Sequence, residues 1–424
     1  MVKDKLVPKL RFVNENEWGE FTLGAIGKTY SGLSGLSKDN FNGGNSKYIT
    51  YKSIFDNNIL KKNLTESVDL NNKSQNKVKK GDLFFTGSSE TPEEVGMVSV
   101  LNFDIDDCYL NSFCFGYRLN DFKKISPTFL AYYLRSPIMR NKIQILAQGS
   151  TRFNLSKKET LKLRIKIPKM EEQLKISNFF MNIDKKIELL KTKHNYYEDF
   201  KKYLMQQIFA QKLRFDNFDR EWEFKKLGQV SIVKDGTHDS PKYVPNGYPL
   251  ITSKNLLNGE IDFENVNYIS KEDYDNINKR SNVDKGDILF GMIGTIGNPL
   301  IVETDDFAIK NVALIKEKEE LLNKFLIHVL ETDFINKQFY RLNAGGTQKF
   351  IALGLIKDLL VPIPSIEEQL KISEFLSTVE INLNSYKNQI SNMKKFKKGL
   401  LQQMFISILI NCLSFMSYVT MRNM

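Results

Sequence analysis

The sequence predicts an α+β chain in which two small mixed α/β domains stand in tandem. Each domain is followed by a long helix, and the two helices pair as an antiparallel coiled coil. Three observations lead to this prediction. The chain repeats itself at long range, each repeat opens with short apolar runs separated by turn residues, and each repeat ends in a stripe of apolar residues at helical spacing.

The internal repeat is long. The heptapeptide EEQLKIS at 171–177 recurs at 367–373, 196 positions later, and the lead KLRF at 9–12 recurs at 212–215. A solenoid repeat spans about 20–50 residues, so this much longer period indicates a duplicated domain with its connector. We therefore predict a first domain at 1–167, a first long helix at 168–211, a second domain at 212–363, a second long helix at 364–406, and an apolar tail of unknown role at 407–424.

The part of each repeat before the helix reads as short strands with some helix. Apolar runs such as 83–85 (LFF) and 288–290 (ILF) alternate with Gly, Asn and Asp turns. A strand-like segment that ends in proline follows in each half, at 163–168 and 359–364. The helix pattern starts directly after it, so we expect each domain to end where its helix begins.

Both predicted helices carry apolar residues in alternating steps of four and three. A sustained period of 3.5 residues is typical of a coiled-coil seam. The two stripes match position for position, so the simplest partner of one helix is the other, and the intervening domain favours an antiparallel pair. The alternative is that each stripe packs against its own domain. The predicted seam consists of Ile176, Phe180, Ile183, Ile187, Leu190, Leu204, Ile372, Leu376, Val379, Leu383, Ile390 and Leu400.

The composition favours a polyanionic partner. Lysine and arginine number 61 against 50 aspartates and glutamates, a formal charge of +11, which suits nucleic acid or an anionic membrane surface. An AT-rich genome, whose codons favour Lys, Asn and Ile, would give a similar excess. Three cysteines make neither a disulfide framework nor a four-ligand zinc site, and no apolar signal core follows the charged first residues. We expect a cytoplasmic protein without a membrane span.

No string of residues identifies a catalytic site. An amino-methyltransferase needs an Asn/Asp-Pro-Pro-aromatic turn, and the nearest string, at 298–300, is Asn-Pro-Leu. The string at 27–29 ends like a P-loop, but Thr22 stands where its first glycine is needed, which favours an ordinary turn. His194, His238 and His328 lie far apart in sequence, so we expect no metal site, and His194 falls on the helix seam, where packing is favoured.

The doubled helix start carries a family resemblance. Residues 167–173 (IPKMEEQ) and 363–369 (IPSIEEQ) open the two helices, and 205–209 (MQQIF) and 401–405 (LQQMF) close them. In this pattern the chain resembles the specificity subunits of type I restriction–modification systems over nearly its whole length. The apolar tail departs from the family, whose members commonly stop soon after the second helix.

The resemblance implies a non-catalytic DNA-binding subunit with two target-recognition domains, each reading one half of a split double-stranded DNA target. It further implies that the helices hold these domains apart and dock two methyltransferase subunits, which two motor–nuclease restriction subunits join. The chain itself would then need no cofactor, whereas S-adenosylmethionine, ATP and Mg²⁺ would serve the partner subunits. The alternatives are a stand-alone DNA-modifying enzyme with an unrecognised site and a coiled-coil scaffold that binds no DNA.

Candidate DNA contacts follow from the chemistry of recognition. Base edges are read by donors and acceptors, phosphates are held by cations, amides and hydroxyls, and turns of small residues let the backbone approach the duplex. The glycine loops at 149–152 and 346–349 could instead be structural junctions before the helices. The candidates are Ser31, Lys47, Tyr51, Lys52 and Arg152 in the first half, and Thr237, His238, Lys242, Tyr243, Ser253, Lys254, Asn255, Thr347, Gln348 and Lys349 in the second.

Overall fold

The two halves of the chain fold into related strand arrangements, as the repeat predicts. The computed structural model describes residues 8–12, 18–71, 73–257, 259–294, 296–342 and 350–405. The strands of the first half are β1 Gly19–Thr22, β2 Gly27–Ser31, β3 Ser46–Ile49, β4 Thr65–Val68, β5 Leu83–Thr86, β6 Ser88–Ser89, β7 Val98–Val100, β8 Cys108–Leu110, β9 Cys114–Leu119, β10 Ala147–Gln148, β11 Phe153–Leu155 and β12 Arg164–Ile167. Those of the second are β13 Glu223–Lys226, β14 Ile232–Asp235, β15 Tyr243–Val244, β16 Tyr248–Thr252, β17 Leu256–Leu257, β18 Glu260–Ile261, β19 Asn267–Ile269, β20 Ile288–Gly291, β21 Gly297–Ile301, β22 Ala308–Lys310, β23 Val312–Lys316 and β24 Leu360–Ile363.

One long helix ends each half, and short helices lie between the strands. The first half has α1 Leu23–Ile26, α2 Tyr51–Asp56, α3 Pro127–Leu134, α4 Pro137–Ile145, α5 Lys157–Leu161 and the long helix α6 Met170–Phe209. The second has α7 Leu227–Val230, α8 Lys271–Ser281, α9 Asn323–Leu330, α10 Asp333–Leu342, α11 Leu353–Lys357 and the long helix α12 Ile366–Phe405. The α+β class is confirmed, and the long helices begin and end within about two residues of their predicted bounds.

Two sheets recur in each half with the same order. An antiparallel sheet β2-β9-β5-β7 corresponds to β14-β23-β20-β21. In the second sheet of each half, β3 pairs in parallel with β8, and β16 pairs in parallel with β22. The entry strand of each domain pairs antiparallel with its last strand, β1 with β12 and β13 with β24. Each domain therefore starts and ends beside the first turn of its long helix.

A repeated Lys-Gly-Asp turn fixes the first of these sheets in both halves. Gly81 and Gly286 have φ of +89° and +91°, a region that glycine adopts without strain. The next residue in each half is a buried aspartate, which accepts a hydrogen bond from a cation of the neighbouring strand: Asp82 from Arg118 Nε at 2.7 Å, and Asp287 from Lys316 Nζ at 2.6 Å. The sequence repeat thus corresponds to one turn built twice.

The compact units of the structure do not coincide with the contiguous domains predicted from sequence. The first unit joins the residues up to Leu190 with those from Gln389 onward, and the second runs from Lys191 to Asn388. Each unit therefore contains one small domain, one end of α6 and the opposite end of α12.

Within each unit the two helix ends run antiparallel. In the first unit Phe180 packs on Phe405 at 5.9 Å between ring centroids, and one turn further along α6, Asp184 pairs with Lys397, which lies earlier in α12. In the second unit Tyr197 packs on Tyr386, and Lys201 pairs with Glu380. The partner positions fall along α12 as the positions rise along α6, which is the antiparallel order.

The apolar stripe contacts the domain as well as the other helix, so both sequence-based interpretations hold in part. In the first unit Ile176, Phe180 and Ile183 share one core with Phe129 of α3 and with the α12 residue Leu400. Leu383 and Ile390 are half-buried. The other seam residues, all buried, are Ile176, Phe180, Ile183, Ile187, Leu190, Leu204, Ile372, Leu376, Val379 and Leu400.

The repeated Glu-Glu-Gln motif ties each long helix to its surroundings. Gln173 accepts from the Ser126 amide at 2.8 Å and donates to the Pro168 carbonyl at 2.9 Å, and Gln369 makes the equivalent bonds to Leu322 and Pro364. These bonds fix the first turn of the helix to the end of its domain.

The second glutamate of the motif is buried against the arginine of the KLRF lead. Glu172 accepts two bonds from Arg11, at 3.0 and 2.7 Å, and Glu368 accepts two from Arg214, at 3.0 and 2.9 Å. Glu368 also accepts from Trp222 Nε1 at 2.9 Å. The two sequence motifs that recur together are thus partners in a bidentate ion pair, the strongest geometry for these groups.

Candidate nucleic-acid interface

A glycine loop in each unit lies close against the end of the parallel strand pair. A Cβ atom at Gly236 would lie 2.3 Å from the Ile309 carbonyl oxygen, and one at Gly32 would lie 2.1 Å from the Asn111 carbonyl oxygen. Only glycine permits so close an approach without a backbone shift. The residues that follow each glycine are therefore placed equivalently in the two units.

In the second unit this loop carries a histidine that is hydrogen-bonded at both ring nitrogens. His238 Nε2 lies 2.8 Å from Asp235 Oδ2, and its Nδ1 lies 2.7 Å from Asn311 Oδ1. Because both ring nitrogens face oxygen acceptors, the bonds to Asn311 and Asp235 raise the pKa of His238 and favour the imidazolium form. Burial alone would raise the pKa of Asp235, but hydrogen bonds from His238 and Arg280 lower it. The loop therefore holds an imidazole in a fixed orientation, and the two hydrogen bonds favour its charged form.

Further cations lie around the loop. Lys310, at the end of β22, donates to Ser240 Oγ at 2.8 Å, which places its ammonium against residues 236–240. Lys242, Tyr243 and Lys254 are exposed. Thr237 is half-buried, and its backbone amide donates a hydrogen bond to the Ile309 carbonyl, which joins the loop to β22. Lys310 is not among the contacts predicted from the sequence, because it ends an apolar strand and has no local turn signal.

Two predicted contacts of the second unit face inward. Ser253 is buried, donates to the Asn311 carbonyl at 3.0 Å and accepts from the Met292 amide at 3.0 Å. Asn255 is also buried, with its carbonyl oxygen accepting from Thr252 and its amide donating to main-chain carbonyls. Their polar atoms shape the turn that exposes Lys254 between them. The polar side-chain atoms of Ser253 and Asn255 already make hydrogen bonds within the protein. They therefore have no donor or acceptor to offer a base edge, and we no longer expect these two residues to contact DNA.

In the first unit three of the predicted contacts share one cavity of about 390 Å³. Tyr51, Lys52 and Arg152 line it together with Phe113. The Arg152 guanidinium lies 5.4 Å from the centre of the Phe113 ring, whose residue is 56% exposed. Phe113 is not among the contacts predicted from the sequence, since a phenylalanine in an apolar run is usually a core residue.

The remaining candidates of the first unit lie apart from this cavity. Ser31 lines an adjoining cavity of about 320 Å³, which also contains Phe113, and it accepts from Lys157 Nζ at 2.6 Å. Lys47 is exposed on β3 and lines neither cavity.

Some predictions lie outside the described residues. These are the candidate contacts Thr347, Gln348 and Lys349 of the second half and the apolar tail at 407–424. Over the described ranges, no helix has the length and apolar character needed to cross a membrane.

We expect the stability contributed by charged His238 to depend on pH. Its folded-state pKa is raised above the unfolded value of about 6.5, so this contribution is complete below about pH 6.5 and is lost as pH rises through the folded-state pKa. Unfolding free energies of the native chain and of His238→Gln should therefore differ most below that pH and converge as pH rises. Lys242→Gln, which removes a nearby charge but no imidazole, is the control. A His238→Gln difference that stays constant with pH would contradict the prediction.

Comparison with known proteins identifies relatives over most of the chain. A family model described as the type I restriction modification DNA specificity domain matches residues 15–197 and again residues 219–393. The type I restriction enzyme MjaVIII specificity subunit of Methanocaldococcus jannaschii is 23% identical over 266 residues, covering 58% of this chain and 62% of that protein. The chain thus spans less than two thirds of this relative's length.

Two further relatives cover more of the chain. The type I restriction enzyme EcoKI specificity subunit of Escherichia coli is 21% identical over 351 residues, which are 76% of this chain and 74% of that protein. The crystal structure of a type I restriction–modification S subunit from M. genitalium matches with a TM-score of 0.61 at 17% identity, covering 95% of this chain and 100% of that one. At this identity the structural likeness shows the fold.

Proposed function

Because the chain belongs to the type I restriction–modification DNA specificity family, which matches it twice, we propose that it is the DNA-reading subunit of such a complex. Each unit would read one segment of a bipartite double-stranded target. The formal charge of +11 suits a polyanionic partner. The relatives are named specificity subunits, which supports a non-catalytic role in the cytoplasm.

The observation that carries this proposal is one loop built twice with different side chains. The residues after Gly32 and Gly236 approach their strands in the same way, but the surroundings differ. The second unit offers His238 on this loop together with its neighbouring lysines. In the first unit Phe113 lines a cavity with Gly32, and Arg152, from the separate loop at 149–152, lies over the Phe113 ring. A constant backbone with variable donors and aromatics is what two readers of different base sequences require.

The exposed cations divide by their environment. Lys254 and Lys310 are compact charges beside the loop and suit phosphates, which position the protein without reading sequence. Arg152 is exposed, is held over the Phe113 ring and suits base edges. Both ring nitrogens of His238 are already bonded within the protein, so His238 orients the loop and does not read a base edge. Replacing Lys254 or Lys310 would then weaken binding to all sequences, whereas replacing Arg152 would relax the preference at one segment.

The partners follow from the same proposal. Two methyltransferase subunits would dock on the long helices, and two motor–nuclease restriction subunits would join through them. S-adenosylmethionine, ATP and Mg²⁺ would be bound by those subunits, since no motif of this chain matches a methyltransferase turn or a P-loop. This chain would recognise the target sequence, and its partner subunits would carry out the reactions.

Domain exchange with methylation mapping tests the proposal. Co-expressed with its methyltransferase, the native chain should direct adenine methylation to a bipartite motif. Replacing β1 to β12, Gly19–Ile167, by the same region of another family member should change one segment and leave the other intact. Replacing β13 to β24, Glu223–Ile363, is the matched control and should change only the other segment. The proposal fails if the motif is continuous, if one exchange rewrites both segments, or if the purified chain methylates DNA unaided.

A further inference from the structure

The second unit contains a group of metal-ligating side chains that the proposed function does not use. His328 on α9, Glu331 just after it, and Glu380 on α12 place one ligand atom each within 4.8 Å of one another. His328 and Glu331 are three residues apart on one helical face, a spacing that lets both side chains reach one ion. The histidines are far apart in sequence, which is why no metal site was expected; the fold supplies the carboxylates instead.

The second observation is that a buried polar side chain of this group lacks hydrogen-bond partners. His328 is 1% exposed, and among the described residues neither of its ring nitrogens has a hydrogen-bond partner. Its Nδ1 lies 3.7 Å from Glu380 Oε1, so it faces the carboxylate. Burying a polar group without a hydrogen-bond partner is unfavourable.

The charge of the group is unbalanced. Lys201 Nζ lies 2.9 Å from Glu331 Oε2 and 2.5 Å from Glu380 Oε1, so one ammonium serves two carboxylates. A divalent cation would neutralise both carboxylates and give His328 the partner it lacks. These residues line an open cavity of about 740 Å³, which provides a path for an ion to enter.

We propose that His328, Glu331 and Glu380 form a binding site for one divalent transition-metal ion of the Zn²⁺ type, which takes the place of the Lys201 ammonium. Zn²⁺ binds nitrogen and oxygen at about 2.0–2.2 Å, so tetrahedral ligands lie roughly 3.4 Å apart, close to the 3.7 Å separation of His328 and Glu380. Lys201 has a flexible stem and can move aside. The ion would tie α9 to α12, a role beyond DNA reading.

The first unit has the same positions filled by residues that leave no site. Tyr132, Arg135 and Asp184 lie 196 positions before His328, Glu331 and Glu380. The Tyr132 hydroxyl donates to Asp184 at 2.7 Å, and Lys397 pairs with the same carboxylate. Arg135 donates to main-chain carbonyls, including that of Asn57 at 3.0 Å. A phenol and a guanidinium replace the ligands, so the site is expected in the second unit alone.

Titration of the untagged, chelator-treated full chain with Zn²⁺ tests the proposal. We expect one saturable ion per chain and a rise in the melting temperature, since the ion binds the folded state. His328→Phe should weaken binding more than about 100-fold, because loss of a second-sphere partner alone costs about 10–100-fold. Glu331→Gln, at an exposed position, should weaken it as well and covers the case in which His328→Phe fails to fold.

The chain has three histidines, so the other two provide matched controls. His194→Gln and His238→Gln should keep the full stoichiometry and affinity, and Co²⁺ in the native chain should give the visible spectrum of a tetrahedral site. The proposal is overturned if the native chain shows no saturable Zn²⁺ binding. It is equally overturned if His328→Phe and Glu331→Gln bind as the native chain does, or if His194→Gln abolishes binding. None of these outcomes bears on DNA reading.

Discussion

Replacing Glu368 by glutamine is expected to destabilise the second unit by about 3 kcal/mol, whereas the same change at the adjacent Glu367 should alter stability by less than about 0.5 kcal/mol. Glu368 is 3% exposed and accepts bonds from Arg214 and Trp222, whereas Glu367 is exposed. Removing one partner of a buried ion pair leaves the other charge uncompensated, at a cost of about 3–5 kcal/mol. The lower figure applies because the Arg214 side chain keeps 16% exposure.

Hydrogen exchange resolved by peptide measures this effect in the unit where it occurs, which a single melting temperature does not. Protection should fall in residues 191–388 for Glu368→Gln and stay unchanged for Glu367→Gln. Glu172→Gln and its neighbour Glu171→Gln repeat the comparison in the first unit, where Arg11 is the partner. Equal protection in Glu367→Gln and Glu368→Gln would show that the second glutamate of the motif does not hold the lead segment.

The repeat and the long helices could be predicted because they depend on local sequence. Pro168 and Pro364 exclude a continuing helix, and a 3.5-residue stripe follows each of them. The composition of the compact units could not be predicted. The matching stripes predicted the antiparallel helix pair, but they do not encode the packing of Leu400 and Phe405 against Phe129 of the first domain, more than 200 positions away.

The candidate DNA contacts show the same limit at the scale of single side chains. Small polar residues favour a turn whether they face outward or inward, and sequence pattern does not distinguish the two. Ser253 and Asn255 proved to be internal, whereas their neighbour Lys254 is exposed. Phe113 shows the reverse, an apolar residue that the turn leaves exposed beside Arg152. Which side a residue faces depends on hydrogen bonds to distant strands.

The KLRF lead explains why the halves of the chain are interdependent. In the second unit the Leu213 amide donates to the Gln207 carbonyl at 3.1 Å, at the end of the helix that precedes it in the chain. In the first unit the Leu10 amide donates at the same distance to the Gln403 carbonyl, at the end of α12. In the second unit the helix end and the KLRF lead are thus consecutive parts of one chain segment. In the first unit the equivalent helix end and lead meet only through noncovalent contacts. The first domain therefore relies on residues more than 390 positions later in the chain.

Replacing Phe405 by alanine should destabilise the first unit by about 3–5 kcal/mol. Phe405 is 3% exposed and packs among aromatic rings, with centroids 5.3 Å from Tyr133, 5.9 Å from Phe129 and 5.9 Å from Phe180. Alanine would leave a cavity in this cluster, and the end of α12 would lose its main anchor on the first domain. Hydrogen exchange should show the loss of protection in residues 18–190, far in sequence from the substitution.

Phe396→Ala is the matched control on the same helix, since Phe396 is 51% exposed and its loss should change stability by less than about 0.5 kcal/mol. In a complex that directs methylation, Phe405→Ala should impair reading of the segment assigned to the first domain more than that of the second. The prediction requires that hydrogen-exchange protection falls in the first unit and not in the second. Equal loss of protection in residues 191–388 would mean that Phe405 supports the whole chain, and no loss in residues 18–190 would mean that the first domain is stable without the end of α12.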